Sequence, residues 1–452
     1  IIKSYNNKIK IILEKGLQDN YINELYNPNK DENQCVGHTY LDESSKNKLI
    51  KNYYDILSLG TLTNRICKLK KTQRGRDQIK KEFSNTLIII DEIHNIKDYD
   101  KNLEDDECKR YDAIEAIVTL SNNSKLLLMS ATPMYHNSKE IVSLINLFIL
   151  NEKSNIKLSD IKTLTISEDL FFDKKNDLTK DGIKLLHKYL QGKVSYVSGE
   201  NPLTFPKVSF SKKAVLYPFM KNLKVIPCLM SDYQKENYLN NLDSGVIRQI
   251  SNVVIAENLD EMLKKENLEN KKSSISIKYS NLLKNLLSSE GCQFIFSEFI
   301  SSGLDIIKRM LLLNGYEEFS FKKKSSKPKF IMLSGSSDNK ERTKLIKQFN
   351  HPDNKNGDII KIVLGSLVLK EGISLKNIRD IHIMEPWHNM SRLKQVWGRG
   401  IRSCSHVSLP PSKRTVELFL YASILNKTPK FPKSDIFTEI VQNFSYDLLS
   451  YK

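Results

Sequence analysis

The chain has 452 residues, of which 40% are hydrophobic. This length predicts two or three domains, and the composition, with a mean hydropathy of −0.41, excludes disorder as the main state. No stretch approaches the ~18 consecutive apolar residues of a membrane span, and the first residues lack the apolar core of a signal peptide. We therefore expect neither a membrane partner nor secretion.

The chain is strongly basic, with 70 Lys and Arg against 53 Asp and Glu and a net charge of +17. Such a charge attracts polyanions such as nucleic acid. The abundance of Lys, Asn and Ile, as an AT-rich genome would produce, offers a second explanation for the same charge. Because 12 of the 70 basic residues are Arg and 58 are Lys, an Arg marks a position where Lys does not suffice.

The six cysteines lie far apart and include no Cys-x-x-Cys pair. This spacing predicts neither a disulfide framework nor a zinc site. A reducing, intracellular environment is therefore expected.

Short apolar runs alternate with amphipathic helical patterns, which predicts parallel-sheet α/β architecture in two blocks. In the first block, residues 86–90 and 125–129 are continuous apolar runs, as in strands buried on both faces. In the second block we predict strands at residues 293–296, 330–333, 359–364, 380–384 and 416–421, and helices at residues 303–313, 339–349, 389–399 and after residue 434.

The domain boundaries follow from these blocks. We expect a first domain over residues 1–205 and a second over residues 285–452. Residues 206–284 have weaker periodicity and a lysine-rich helical patch at 259–272, so we interpret them as a connector or a helical insert.

Charged and small residues follow the predicted strands of the first block. In parallel sheets ligands bind beyond the carboxyl ends of the strands. Residues 91–94 read Asp-Glu-Ile-His, and one carboxylate at such a place can hold Mg²⁺ while its neighbour deprotonates a water. An acidic turn is the plainer alternative. Residues 130–133 read Ser-Ala-Thr-Pro, and their hydroxyls suit either a phosphate or acid contact or a helix cap.

Two arginines end a predicted helix in the second block. Residues 395–402 read Gln-Val-Trp-Gly-Arg-Gly-Ile-Arg, so Arg399 and Arg402 share a face if the helix continues through the glycines. The planar guanidinium binds phosphate oxygens in pairs, and in a chain that prefers Lys this choice favours phosphate binding. A solvated basic helix end is the alternative.

In this order and at these separations, the segments resemble the superfamily-2 helicases and translocases, nucleic-acid-dependent ATPases whose two RecA-like domains close on ATP. The similar segments are residues 91–94 (motif II), 130–132 (motif III), 294–299 (motif IV), 362–366 with 369–374 (motif V) and 395–402 (motif VI). The resemblance covers most of the chain.

A closer resemblance is to ATPases of large DNA viruses. Residues 130–137, 192–197 with 199–202, and 384–389 are similar to segments of the poxvirus early transcription factor small subunit and of the poxvirus nucleoside triphosphatase of transcription termination. The resemblance implies ATP and Mg²⁺ as cofactors, DNA or RNA as the track, and a viral RNA polymerase or transcription factor subunit as a further partner. It also implies a location in the host cytoplasm, in virus factories, or in the virion.

The resemblance assigns the ATP chemistry to five residues. Asp91 would coordinate Mg²⁺ and Glu92 would act as general base. Arg399 and Arg402 would neutralise charge on the γ-phosphate, and Gln395 would contact that phosphate or the attacking water. We therefore predict a cleft with Asp91 and Glu92 on one wall and the two arginines on the other.

Coupling and nucleic-acid contacts are also implied. Ser130, Ala131 and Thr132 would couple the ATP state to the grip on nucleic acid. In the motif V segment, Gly372 would contact the nucleotide. Ser366, Glu371 and Ser374 would contact nucleic acid, mainly at its backbone.

The chain departs from the family in one respect, because it contains no P-loop of the form G-x-x-x-x-G-K-[ST]. Its only Gly-Lys pair, Gly192 with Lys193, is followed by Val194. Because the chain begins with Ile1, we expect a fragment or processed chain whose P-loop lies upstream, and we expect this stretch alone to bind ATP poorly.

Two rival functions stay open at this point. The first is a catalytically inactive, helicase-like scaffold that holds nucleic acid or polymerase. The second is a translocase on double-stranded DNA that does not separate strands. Two side chains are also open to interpretation: Trp387 could stack on a base or pack behind motif VI, and His94 is expected to form interdomain hydrogen bonds and not to bind a metal.

Overall fold

The structure is a computed structural model. It describes residues 8–25, 48, 50–96, 109–134, 137–153, 157–174, 176–196, 204–220, 223–242, 245–322, 325–333, 339–366, 373–387, 390–430 and 436–451. The chain divides into two compact units, unit 1 over Ile1–Val197 and unit 2 over Ser198–Lys452.

Unit 1 contains a four-stranded, fully parallel sheet in the order β2-β1-β3-β4. Its strands are β1 (Ile9–Leu13), β2 (Tyr54–Ser58), β3 (Leu87–Ile90) and β4 (Lys125–Leu128). Its helices are α1 (Gln18–Leu25), α2 (Leu59–Leu69), α3 (Gln73–Phe83), α4 (Arg110–Leu120), α5 (Glu140–Glu152), α6 (Ile161–Leu164) and α7 (Lys180–Leu190).

Strand β3 shows why its apolar run is continuous. Ile88 and Ile90 belong to one core cluster, whereas Leu87 and Ile89 pack against a second cluster. Because alternate residues of a strand point to opposite faces, both faces of β3 are covered. Because β3 lies between β1 and β4 in the sheet, its carboxyl end has a strand end on either side.

Unit 2 contains an eight-stranded parallel sheet in the order β5-β12-β11-β7-β10-β9-β8, and β6 also pairs with β12. Its strands are β5 (Lys207–Phe210), β6 (Ile226–Leu229), β7 (Cys292–Phe296), β8 (Glu317–Glu318), β9 (Lys329–Leu333), β10 (Ile362–Gly365), β11 (Ile378–Ile383) and β12 (Thr415–Ile424). Its helices are α8 (Asp232–Leu239), α9 (Ile247–Asn252), α10 (Leu259–Met262), α11 (Lys265–Leu268), α12 (Ile277–Ser288), α13 (Asp305–Leu313), α14 (Asn339–Phe349), α15 (Met390–Trp397), α16 (Phe437–Phe444) and α17 (Tyr446–Tyr451).

The fold class is as expected, since both units are parallel α/β sheets of the RecA-like kind with helices packed on them. Differences lie at the boundaries. The helix expected at 303–313 begins as a π-helix, Ile300–Leu304, before α13, and the patch at 259–272 forms the short helices α10 and α11. In the described part of the chain, no helix combines the length and the apolar character that crossing a membrane requires.

Residues 206–284 belong to unit 2 in the structure. They contribute β5 and β6, which both pair with β12, and the helix α12. The residues expected to connect or insert thus supply two strands of a sheet, because β12 has an edge long enough to pair with both.

Cysteine chemistry differs from the expectation at one position. Cys67, on α2, is disulfide-bonded, although the spacing of cysteines gave no sign of a bond. Folding can bring together cysteines that lie far apart in the chain, so spacing alone does not detect such a pair. Cys228, Cys292 and Cys404 are free thiols.

A buried carboxyl on β11 predicts how stability depends on pH. Asp380 is 7% exposed and accepts a hydrogen bond from Ser289 Oγ. Burial raises its pKa to about 6; Glu417 adds to this rise, and the Ser289 bond and the charges of Arg379 and Lys361 oppose it. The folded chain therefore keeps this proton where the unfolded chain, with a pKa of about 4, has lost it.

We expect the contribution of Asp380 to the free energy of unfolding to fall as the pH rises from about 4 to about 6, by at most ~1.4 kcal/mol per unit. Asp380→Asn should remove this fall and leave the rest of the profile unchanged. Urea denaturation at several pH values between 4 and 7 measures the difference between the two proteins. A difference that does not change over this range would show that the carboxyl titrates normally.

Candidate functional site

The turn after β3 is fixed by backbone hydrogen bonds to the strands on both sides. The N–H of Asp91 donates to Ile12 O at 3.0 Å, and the N–H of Ile93 donates to Met129 O at 3.0 Å. Glu92 adopts a φ of +49°, in the left-handed region that few residues other than glycine visit. Its N–H donates to Asp91 Oδ1 at 3.0 Å. The backbone thus presents two carboxylates side by side at the strand end.

His94 connects this turn to the segment after β4. Its Nδ1 lies 2.9 Å from Ser130 Oγ and 3.3 Å from Glu92 Oε2. Ser130 Oγ also accepts the N–H of Thr132 at 3.0 Å, while Ala131 is exposed. The structure therefore brings together residues 91–94 and 130–132, and these His94 contacts lie within unit 1.

Asp91 is partly buried, so a cation beside it would stabilise the charged form of its carboxyl group. Burial raises the pKa of this carboxyl, and the hydrogen bond from the Glu92 N–H opposes the rise. Among the described residues there is no group of three or more His, Cys, Asp or Glu side chains that could hold a metal ion alone. Asp91 and Glu92 supply the one or two carboxylates through which proteins bind Mg²⁺ when phosphate and water provide its other ligands.

In unit 2 several predicted site residues line one narrow pocket at the carboxyl ends of the strands. Its lining consists of Phe294, Phe296, Ser366, Arg392, Gln395, Val396 and Arg399. Ser366 directly follows β10, Gln395 lies on α15, and Arg399 comes two residues after that helix ends. Arg399 is only 8% exposed, so its guanidinium is largely desolvated.

Arg402 has a different environment from Arg399. Helix α15 ends at Trp397, so the helix does not continue and the shared face expected from their spacing is not formed. Arg402 donates from Nε to Gly398 O at 3.0 Å and from Nη1 to Ser374 Oγ at 2.5 Å. The helix can end so close to the sheet because residue 400 is glycine: a Cβ there would lie 3.0 Å from Ile378 Cβ.

Of the predicted motif V residues, the structure describes Ser366 and Ser374. Glu371 and Gly372 lie outside the described residues. Ser366 is 2% exposed and lines the pocket of Arg399, whereas Ser374 contacts Arg402. Ser366 therefore shares a pocket with Arg399, and of these two serines only Ser374 is hydrogen-bonded to one of the two arginines.

Sequence reasoning missed a cluster of charged and aromatic residues around Trp387. The guanidinium carbons of Arg392 and Arg248 lie 3.4 and 5.3 Å from the centre of the Trp387 ring. Glu298 Oε2 accepts a hydrogen bond from Arg248 at 2.7 Å, and its Oε1 accepts one from Arg392 at 3.3 Å. The packing role of Trp387 is thus favoured over base stacking.

A buried carboxylate, Glu385, follows β11 and links three segments. Its Oε1 accepts from Ser297 Oγ at 2.6 Å and from Asn252 Nδ2 at 2.5 Å, and its Oε2 accepts the N–H of Glu298 at 2.9 Å. Burial raises the pKa of this carboxyl, against these hydrogen bonds and the charge of Lys278. A charged residue directly after a buried strand, like Asp91, was the signal that could have identified it.

Lys278, on α12, completes this network. Its Nζ lies 2.6 Å from Asp447 Oδ2 and donates to Asn252 Oδ1 at 2.8 Å and to Met384 O at 2.9 Å. Asp447 Oδ2 in turn accepts the N–H of Ser423 at 2.7 Å. Both charged side chains are almost inaccessible, at 0% and 2% exposure, so the network joins α12, α17, β12 and the end of β11 inside the core.

Residues 277–404 match the family described as the helicase conserved C-terminal domain. The chain is 28% identical over 466 residues to a protein of Acanthamoeba polyphaga mimivirus that is named as an ATP-dependent RNA helicase, covering 94% of the chain and 76% of the relative.

Two further relatives come from other large DNA viruses. A protein of Invertebrate iridescent virus 3 that is named as a helicase is 26% identical over 457 residues, which cover 91% of the chain and 43% of the relative. A protein of African swine fever virus, named as a homologue of the termination factor NPH-I, is 25% identical over 414 residues, which cover 76% of the chain and 57% of the relative. The chain therefore spans only about half the length of these two relatives. Over residues 277–404 the chain thus carries the helicase conserved C-terminal domain, and over most of its length it is similar to helicase-type proteins of large DNA viruses.

Proposed function

We propose that the chain couples ATP hydrolysis to movement along DNA or RNA during viral transcription. The observation that carries this proposal is the paired carboxylates Asp91 and Glu92 at the end of β3, which His94 links to Ser130 at 2.9 Å. A carboxylate pair at a strand end is suited to phosphoryl transfer. Its link to the segment after β4 provides a route by which the nucleotide state reaches Ser130, Ala131 and Thr132.

Unit 1 would supply the residues that hold the cation and activate water. Asp91 would bind Mg²⁺, which, when bound, neutralises charge on the phosphates. Glu92, whose side chain is 32% exposed, can reach a water and accept its proton. The proximity of His94 Nδ1 to Glu92 Oε2 would orient that carboxylate.

Unit 2 would supply positive charge for the transition state. The desolvated guanidinium of Arg399 would act directly on the γ-phosphate, and Gln395, in the same pocket, would contact that phosphate or the water. Arg402 would have a different role, in coupling, because its Nη1 donates a hydrogen bond to Ser374 Oγ at 2.5 Å. If Arg402 turned to a phosphate, Ser374 would be released, which would tie hydrolysis to a residue proposed to grip nucleic acid.

We expect Arg399→Lys to reduce ATP turnover by about 10³-fold or more, because an ammonium group does not provide the paired donors of a guanidinium. Steady-state ATPase assays on the full-length protein measure this loss. Arg309→Lys is the matched control, since Arg309 is exposed and pairs with Asp260, and it should leave turnover unchanged. Turnover within a few-fold of normal in Arg399→Lys would contradict the proposed role.

Nucleic acid would be gripped mainly through its phosphates, near Ser374. Ser366, which is 2% exposed, is too buried to take part in this grip. Binding of this kind depends steeply on salt because counterions are released. Affinity for single- and double-stranded DNA and RNA should therefore fall between about 50 and 200 mM salt. Affinity that did not change over this range would exclude a backbone grip.

The experiment that tests the proposed function is ATP hydrolysis by the full-length protein, with and without single- and double-stranded DNA and RNA. Stimulation by one of these would identify the track. Strand-separation and triplex-displacement assays would then distinguish a helicase from a double-stranded-DNA translocase. No turnover, with salt-sensitive binding intact, would instead point to a non-catalytic scaffold.

The proposed setting is transcription in virus factories in the host cytoplasm, or in the virion. The name of the African swine fever virus relative, a termination factor homologue, supports a viral RNA polymerase or transcription factor subunit as partner. Tagged protein from infected cells should co-purify with the viral polymerase. Purification of the polymerase without it would count against this setting.

A further inference from the structure

A cavity of about 260 Å³ opens at the amino ends of the strands of unit 2. Its lining consists of Ser289, Glu290, Gly291, Lys355, Asn356, Lys361, Arg379, Leu409 and Lys413. Ser366, in the pocket of Arg399, lies at the opposite end of β10 from Lys361. At a rise of about 3.3 Å per residue, the strand separates the two by roughly 16 Å. The cavity is therefore a second place on unit 2, apart from the proposed ATP chemistry.

The lining carries an excess of positive charge. Lys355, Lys361, Arg379 and Lys413 stand against a single lining carboxylate, Glu290. Within the described stretches, none of the salt bridges involves any of these four basic side chains. The lining alone therefore has an excess of three positive charges, which the neighbouring carboxylates Asp380, Glu417 and Asp358 reduce. Such an excess is unfavourable unless an anion or solvent compensates it.

One of the four basic side chains is held in a fixed position. Arg379 donates from Nε to Thr415 O at 3.1 Å and from Nη2 to Thr415 Oγ1 at 3.0 Å. A guanidinium has five N–H groups, so three stay available beyond these two bonds. Its orientation is therefore set before any ligand binds, which reduces the entropy that binding costs.

Two glycines make room for this arginine. Gly291 has a φ of +91°, and a Cβ there would lie 2.7 Å from Arg379 Cγ. Gly357 has a φ of +83°, and its Cβ would lie 3.2 Å from the carbonyl group of Gly291. Because Gly291 has no side chain, the aliphatic part of Arg379 packs directly against the backbone of the cavity wall.

We propose that this cavity binds phosphate oxygens, either of one small phosphate compound or of adjacent nucleic-acid phosphodiesters. The excess of positive charge in the lining favours both. A fixed guanidinium supplies paired donors, and three lysines supply mobile point charges. The volume is below the ~300 Å³ at which pockets for drug-sized ligands begin, so it admits phosphate groups and not a whole nucleotide.

The two sources of phosphate are separated by a lysine-acylation experiment on the full-length protein without ATP. Inorganic pyrophosphate, used as probe, should slow acylation of Lys355, Lys361 and Lys413 severalfold, as read by mass spectrometry. The exposed lysines Lys271 and Lys322 serve as internal controls and should react unchanged. Protection by a single-stranded oligonucleotide as well would assign the site to nucleic-acid backbone, whereas protection by pyrophosphate alone would assign it to a small phosphate compound. Protection by neither would overturn the proposal.

Variants provide a second readout. In the backbone case, the triple variant Lys355→Gln/Lys361→Gln/Lys413→Gln should lower the slope of log affinity against log salt by about 2, since each single-strand contact contributes about 0.7. The matched triple variant Lys271→Gln/Lys322→Gln/Lys427→Gln should not. Equal losses in the two triple variants, combined with no protection by pyrophosphate, would show only general attraction of charge. Because no step involves ATP, failure here leaves the proposed hydrolysis untouched.

Discussion

Lys278→Met is expected to lower the free energy of unfolding of unit 2 by about 3–5 kcal/mol. The substitution leaves Asp447 buried without the ammonium group that lies 2.6 Å from it. It also removes the donor to Asn252 Oδ1 and Met384 O. A buried ion pair adds little net stability compared with apolar residues, but the removal of one partner leaves an uncompensated charge in the core.

Urea denaturation followed by circular dichroism measures this loss, and a double-mutant cycle assigns it to the pair. Asp447→Asn keeps an oxygen for the N–H of Ser423 while it removes the charge. The variant Lys278→Met/Asp447→Asn should therefore be destabilised by less than the sum of the two single variants. Additive effects would mean that the two charges do not interact as the 2.6 Å separation implies.

An exposed pair provides the control for this measurement. Lys184 and Asp181 lie 2.9 Å apart on α7, and their side chains are 79% and 84% exposed. Exposed pairs contribute about 0–1 kcal/mol, so Lys184→Met should have almost no effect on stability. A loss comparable to that of Lys278→Met would indicate that removal of a lysine destabilises the chain generally.

Glu92→Gln is expected to reduce ATP turnover by about 10²- to 10⁴-fold in the full-length protein, while ATP binding is retained. The amide has nearly the shape of the carboxylate, and it keeps the backbone bond from residue 92 to Asp91 Oδ1. What it loses is the ability to accept a proton from water. Single-turnover hydrolysis, compared with binding of a labelled ATP analogue, separates the chemical step from affinity.

Glu168→Gln is the matched control for this substitution. Glu168 lies in the 3-10 helix Glu168–Leu170, away from the end of β3, and its replacement should leave turnover unchanged. A Glu92→Gln protein with normal turnover would assign the base to another group. Loss of ATP binding together with turnover would indicate a binding role for Glu92.

Much of the fold could be predicted because the strands that carry the site are buried on both faces. Val363 packs in one core cluster of unit 2, and Ile362 and Leu364 pack in another. Such a strand must be apolar at every position, which makes it easy to identify. The short strands β5 and β6 gave no such signal, because Lys207 and Ser209 interrupt one and Pro227 interrupts the other.

The candidate site shows the same limit. Asp91 and Glu92 could be predicted because they directly follow such a strand, and the contact of His94 with Ser130 joins two adjacent strand ends. The environments of Arg399 and Arg402 could not be predicted, since a helical spacing says nothing about where the helix ends. The pairing of Lys278 with Asp447 depends on packing between α12 and α17, which no local pattern encodes.

The position of β12 has a consequence for biosynthesis. β12 is the last strand among the described residues, yet it lies inside the sheet, between β11 and the first strands of unit 2, β5 and β6. While the ribosome makes residues 230 to 414, β5 and β6 have no partner strand. Because such long-range pairing is slow and leaves edges exposed, a nascent chain stalled before Thr415 should be a substrate for chaperones, and release past Ile424 should end that dependence.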